Sequence, residues 1–220
     1  MIFLLPTILV TFIGFILFLP FLLLMAYFNI ITLGFEKLGI SPELTSLLLF
    51  LILIGSWINI PITKKQLIYQ EKVSFFGLFK KPMIGIQAIA INLGGGVIPV
   101  LLSFYFLYRA WQSGFSFTPI LQATLLMIII AKSMAKIIPG KGIVISAFVP
   151  PIFAAFLAWI FIPDFMAPAA FIIGSLGTLI GADLLNLNKA QKLSPGFLSI
   201  GGGGVFDAVF LIGIVSTILS

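Results

Sequence analysis

Two carboxylates fall where carboxylates are costly. Asp183 and Asp207 lie inside long apolar runs, whereas Glu36, Glu43, Glu71 and Asp164 fall in more polar connections where solvation accounts for them. Placing an acid at the centre of a membrane-spanning helix costs about 2.5–3.5 kcal/mol on insertion scales, so such an acid marks a functional site by default. Each is set among small residues: Gly181 and Ala182 precede Asp183, and Gly201, Gly202, Gly203 and Gly204 precede Asp207. Two carboxyl groups a few ångströms apart cannot both ionise, so one keeps a proton while the other acts as a base. That chemistry activates a water against an amide. The same acids can instead hold a proton or a cation in transit, or simply join two helices through a shared proton.

The elements that carry these acids follow from composition. Of 220 residues, 61% are hydrophobic and 8% charged, too few charges to solvate a soluble chain of this length. An all-α integral membrane protein is the expectation, and soluble enzymes and nucleic-acid partners are excluded. The net charge of +6 comes from short basic clusters between apolar runs, not from a basic face. With no histidine and no cysteine, zinc hydrolases, Ser/His and thiol nucleophiles, disulfides and His or Cys haem ligation drop out. Neither a metal nor a cofactor is expected.

Apolar stretches of membrane-crossing length occur at residues 3–31, 45–61, 84–108, 117–135, 143–162, 166–187 and 197–219, which predicts seven transmembrane helices in a single domain of residues 1–220. The first run has no basic leader and no small-residue cleavage site, so it reads as a retained helix. Residues 62–82 are polar, with Lys64, Lys65, Glu71, Lys72, Lys80 and Lys81, and are expected at the cytoplasmic interface as an amphipathic or hairpin element. Ten of the twelve basic residues fall after the second, fourth and sixth spans. The positive-inside rule then puts the N-terminus in the cytoplasm and the C-terminus outside, in a multi-pass protein of the cell membrane.

Depth bears on whether the acids meet. Asp183 precedes Lys189 by six residues, roughly 9 Å of helix. Asp207 on an unbroken seventh helix would lie roughly 22 Å beyond Lys192, out of reach. A break near Gly202, with residues 194–201 along the interface, brings Asp207 to roughly 8 Å depth and lets the carboxylates face each other. Asn186 and Asn188 would help to wet that mouth.

An internal repeat is written faintly into the chain. Residues 53–59 (LIGSWIN) match residues 179–186 (LIGADLLN) with one gap, and Gly94, Gly95 and Gly96 in GGGVIP match the glycines of GGGVFD at residues 202–207. The helices pair in the same direction, which implies a parallel repeat of residues 45–108 and 166–219 with glycine-broken third and seventh helices. Other features carry less. Lys132 and Lys136 are expected to snorkel at the cytoplasmic end, or else to bind lipid phosphates or counter an acid. Pro150 and Pro151 are expected to kink the fifth helix or break it. Residues 174–177 (GSLG) fit small-residue helix packing, and a serine nucleophile there would need a lysine as its base. Trp57, Trp111 and Trp159 sit near span ends, as interface anchors do.

Residues 90–103 (AINLGGGVIPVLLS), 150–155 (PPIFAA), 177–187 (GTLIGADLLNL) and the glycine run ending in Asp207 resemble a prokaryotic membrane family known as a domain of unknown function, number 1614. That resemblance runs from the second span onward and implies no activity. Acids on two adjacent glycine-flanked helices are similar in arrangement to presenilin and signal peptide peptidase, which implies an aspartyl intramembrane protease with Asp183 and Asp207 as its catalytic pair and a transmembrane peptide as substrate. The sequence departs from that pattern: no tyrosine precedes Asp183, and Val205 and Phe206 separate the glycines from Asp207. Glycine triplets in two parallel repeats are also similar to the trimeric intracellular cation channels. That resemblance implies an ion channel or a proton- or cation-coupled transporter, with Asp183, Asp207, Gly181, Asn186 and both glycine runs lining the path. Membrane lipids are partners on either reading, and oligomerisation is left open.

Overall fold

The computed structural model describes residues 29–64, 66–74, 79–138, 142–146, 148–193, 197–202 and 208–219. The first expected span up to residue 28, and Gly203, Gly204 and Asp207, lie outside the described residues.

Two helices, α1 (Asn29–Lys37) and α2 (Pro42–Gly55), meet at 118°. Ser41 caps α2 by accepting from the Leu44 amide, and Pro42 occupies the first turn, where its missing N–H costs nothing. The chain then leaves helical geometry. Strand β1 (Asn59–Pro61) and strand β2 (Gln66–Ser74) run antiparallel to the long strand β3 (Phe79–Asn92), Asn59 opposite Asn92 and Gln66 opposite Gln87. Helices α3 (Ile98–Gln112), α4 (Phe117–Met134), α5 (Val149–Phe161) and α6 (Met166–Thr178) follow, with a small hairpin of β4 (Lys136–Ile138) and β5 (Gly142–Val144) after α4. The short helix α7 (Leu187–Leu193), strand β6 (Phe197–Ile200) and helix α8 (Ala208–Leu219) complete the chain. Strand β6 lies parallel to the end of β3, with Ala88 opposite Phe197 and Ile91 opposite Ile200.

The chain is mostly helical, as expected, but among the described residues it also carries strands. Residues 84–92 and 197–200, counted into the third and seventh spans, are strands, and the second helix stops at Gly55. The reason is periodic: β-branched Ile89 and Ile91 alternate with Ala88 and Ala90, and the alanines are buried while the isoleucines are half-buried. Alternation of period two builds a strand however apolar the stretch is. Residues 62–82, expected as an amphipathic or hairpin element, do form much of the β2–β3 hairpin. Pro150 and Pro151 sit in the first turn of α5 and produce no mid-helix kink.

Several apolar helices remain, as a membrane protein requires. Three stretches, Leu93–Gln112, Phe117–Met134 and Pro163–Lys192, are long and apolar enough to cross a bilayer, and the bent α1–α2 pair adds a fourth if it counts as one span. Helix α5, at 13 residues, is shorter. Large apolar side chains cover the outside of α3, α4 and α5, among them Leu101, Phe104, Leu125, Ile129, Phe156 and Trp159, a surface suited to lipid and not to water. Helix α6 is the axis of the bundle. Its residues are buried almost all round, as expected of a helix apolar on every face, and it packs on α3, α4, α5 and α8. The lysine-bearing connections gather at one end, where β3 pairs with β6 and β4 packs on α7. At the far end Arg109 donates to the Leu38 carbonyl (3.0 Å) and Lys37 to that of Ile218 (2.7 Å).

Candidate functional site

The site forms where both glycine runs meet the sheet. Asn92 ends β3, and its side chain accepts from the Gly95 amide (2.9 Å), opening a π-turn over Leu93–Val97 that leads into α3. The Asn92 amide donates to the Ser56 carbonyl (2.7 Å) and to Asn59 Oδ1 (3.2 Å), and Ser199 of β6 donates to the same Asn59 oxygen. Asn92 is 2% exposed, so this network binds the end of α2, strands β1, β3 and β6, and the first glycine run below the surface.

Backbones approach closely here, and glycine permits it. A Cβ on Gly94 would stand 2.6 Å from the Ser56 amide nitrogen and overlap the Ile52 carbonyl. Gly201 follows β6 with φ 62°, a left-handed conformation, and a Cβ there would lie 2.6 Å from both Cα and N of Gly96. Gly94, Gly95, Gly96, Gly201 and Gly202 are thus brought together, while Gly181 faces elsewhere: a Cβ on it would meet Ala131 of α4 at 2.9 Å.

Asp183 reaches this junction from α6. That helix widens into a second π-turn at Leu179–Asp183, tightens into a 3₁₀ turn at Leu184–Asn186, and resumes as α7. Such irregular turns free carbonyls from the helical ladder. Asn186 recovers two of them, its amide donating to Gly181 O (3.2 Å) and Ala182 O (3.0 Å). At the end of the π-turn the half-buried Asp183 carboxylate accepts from the Gly201 amide (2.8 Å). This hydrogen bond ties the broken helix to the glycine turn after β6. Asp207, Gly203 and Gly204 lie outside the described residues, so the expected pairing of acids falls there too. The break expected near Gly202 agrees with a chain that is strand to Ile200 and helix from Ala208.

Sequence reading missed Asn92, Asn59 and Ser199 as site residues. An asparagine three residues before the middle glycine of a triplet is a helix-cap signature, and that signal was available. Sequence reading assigned Ser175 to helix packing or a serine nucleophile and passed over Thr178; each is 1% exposed on α6, and their hydroxyls make no hydrogen bond among the described residues. No cluster of three or more His, Cys, Asp or Glu side chains suited to a metal occurs among the described residues.

Comparison with curated proteins and with solved structures gives no match. A family profile described as "Protein of unknown function (DUF1614)" does match, over residues 53–219, which takes in the sheet, both glycine runs and Asp183, and the chain belongs to that family.

Proposed function

We propose that the protein moves a proton or a small cation across the membrane, with Asp183 as the residue that binds it. The observation that carries this reading is the placement of the Asp183 carboxylate. It stands at a break in an apolar helix of membrane-crossing length, held by the Gly201 amide at a glycine turn. Interrupted helices with polar groups at the break are how transporters build ion sites within the bilayer, and π-turns recur at functional positions. Irregular backbone at membrane depth is stable only where protein buries it or water reaches it.

The internal repeat belongs to this reading. Matching Gly94 to Gly202 would set Ile91 level with Ser199, yet the ladder sets Ile91 opposite Ile200, a stagger of one residue. In a parallel ladder, a residue that turns both its N–H and C=O toward the neighbouring strand faces one that turns both away. Two copies related by an axis along the strands would present identical edges to each other. They can pair only after slipping by one residue, so the stagger supports a duplicated fold of residues 45–108 and 166–219.

The aspartyl protease reading has its own support. Among the described residues β6 pairs on one side only, so its other edge offers backbone groups to an extended peptide, next to Gly201 and Asp183. It also needs the Asp207 carboxyl within one bridging water of Asp183.

The deciding experiment reconstitutes wild type, Asp183→Asn and Asp207→Asn in proteoliposomes and measures proton, sodium and potassium flux, beside cleavage of transmembrane peptides from pH 4 to 8. Flux abolished in Asp183→Asn is the expected result. A folded wild type that passes no ion but cleaves peptide, with cleavage lost in both variants, replaces transport with proteolysis.

A further inference from the structure

Helical hydroxyls in this protein share a habit. Thr45, Ser46, Ser103, Thr124 and Thr217 each donate to the carbonyl four residues earlier, at 2.7–3.1 Å. Ser175 and Thr178 depart from it. Both are 1% exposed, and neither forms that bond or any other among the described residues. A buried hydroxyl left unpaired is costly, and back-bonding to its own helix was the ready alternative. Their side chains lie one turn apart on the same side of α6. Ser175 Oγ lies against Gly213 of α8, where a Cβ would overlap it.

Other polar groups continue the row in both directions. One turn beyond Gly213, Thr217 Oγ1 lies 3.5 Å from the Ala167 carbonyl near the start of α6. Toward the lysine-rich end stands Asp183. On a regular helix Asp183 would be turned about 140° from Thr178, but the i→i+5 pitch of the π-turn returns it nearly to the same face. From Asp183 to Ala167 the helical stretch that carries this row is roughly 24 Å long, most of a hydrocarbon core of about 30 Å.

The number of available oxygens decides what the seam can hold. A hard, desolvated cation takes about six or more oxygen ligands. Thr217 is already bonded to Gly213 O, so the middle of the seam offers two uncommitted hydroxyls. A buried water needs only about two to four partners. We infer that Ser175 and Thr178 hold water in the α6–α8 seam and relay protons between Asp183 and the Thr217 end. This rests on the transport reading of Asp183 and makes the transported species a proton. Each hydroxyl accepts a proton from one neighbour as it releases its own to the next, so no charge stays on Ser175 or Thr178.

The test uses the full chain in liposomes loaded with a pH-sensitive dye, the membrane potential clamped by potassium and valinomycin. Wild type, Asp183→Asn, Ser175→Ala/Thr178→Val and Thr178→Ser are compared, with sodium flux in parallel. The double variant is expected to lower proton flux on the order of tenfold or more, Thr178→Ser to keep it, and sodium flux to be absent throughout. Thermal unfolding gives a readout independent of transport. A dry seam is relieved by losing two unpaired hydroxyls, so the double variant would melt higher, whereas a seam that holds water gains nothing. Unchanged proton flux or a raised Tm in the double variant overturns the relay and leaves Asp183 its role if Asp183→Asn still blocks flux. Sodium flux by wild type overturns the proton assignment, and absence of all ion flux overturns both the relay and the transport reading.

Discussion

Replacing Gly201 with alanine tests the packing of the two glycine runs, because a matched control exists in the same chain. Gly201 and Gly114 both have positive φ, 62° and 77°, so alanine at either meets the left-handed penalty of about 1–2 kcal/mol. They differ in what surrounds the added methyl. Nothing lies within 4 Å at Gly114, whereas at Gly201 the methyl would stand 2.6 Å from Gly96 Cα and N and 2.8 Å from Gly95 C. These are backbone atoms of a turn anchored by Asn92, so relief requires a shift of about 1 Å in the π-turn or the loss of the bond between Gly201 and Asp183. Overpacking of that kind costs about 1–3 kcal/mol beyond the strain. At about 2–4 °C per kcal/mol for a chain of this length, Gly201→Ala should melt clearly below Gly114→Ala in detergent. It should also lose ion flux, which Gly114→Ala keeps. Equal melting temperatures would refute the close approach of the runs, and full flux in Gly201→Ala would detach Asp183 from the turn.

Asn186→Ala removes both side-chain bonds to the Gly181 and Ala182 carbonyls, so unfolding should come about 1–2 kcal/mol earlier; an unchanged denaturation midpoint would mean the break needs no side-chain support. Gly213→Ala drives a methyl into Ser175 Oγ and to 3.1 Å from the Phe171 ring, which should cost about 1–3 kcal/mol and alter flux by spreading α6 from α8, checked by parallel melting and flux assays. Lys37→Ala removes an exposed donor from the C-terminal carbonyls of α8 and should cost no more than about 1 kcal/mol in the same unfolding assay.

What the sequence disclosed followed the kind of signal it carried. Residues 117–135 read as a span because Phe117–Met134 has helical length and neither glycine nor a period-two pattern. Residues 84–108 misled because apolar content is the same for a strand and a helix. Only the alternation before Asn92, and the asparagine cap itself, separate Ala88–Ile91 from Ile98 onward. Asp183 was legible through cost alone, since an acid in an apolar run demands a reason. Its partner at Gly201 was not, because a backbone amide has no sequence signature. Gly94 and Gly201 announced close approach without saying to what; contacts with Ser56 and Gly96 depend on how strands 59–92 and 197–200 assemble. The unpaired state of the Ser175 and Thr178 hydroxyls among the described residues was hidden for the opposite reason. Small hydroxyl residues in a helix normally bond their own backbone, and departure from that habit appears only in three dimensions.

The two glycine junctions are built alike and chemically unlike, and the difference separates scaffold from function. At the first, Asn92 is neutral and 2% exposed, donates twice and accepts once, so that strand end, cap and α2 terminus satisfy one another. At the second, the corresponding tie is made by a half-buried carboxylate that accepts from the Gly201 backbone amide. A junction meant only to hold would use the first solution twice, because a charge near the bilayer is the costlier choice. The expected consequence is a crossed pair of phenotypes. Asn92→Ala strands Gly95 N and Ser56 O in a buried site and should lose about 2–3 kcal/mol of stability, with flux per folded molecule little changed. Asp183→Asn keeps an oxygen for the Gly201 amide, so it should melt within about 1 kcal/mol of wild type and yet lose flux. Stability and flux falling together in both variants, or Asp183→Asn unfolding while Asn92→Ala does not, would show that Asp183 is a structural tie after all.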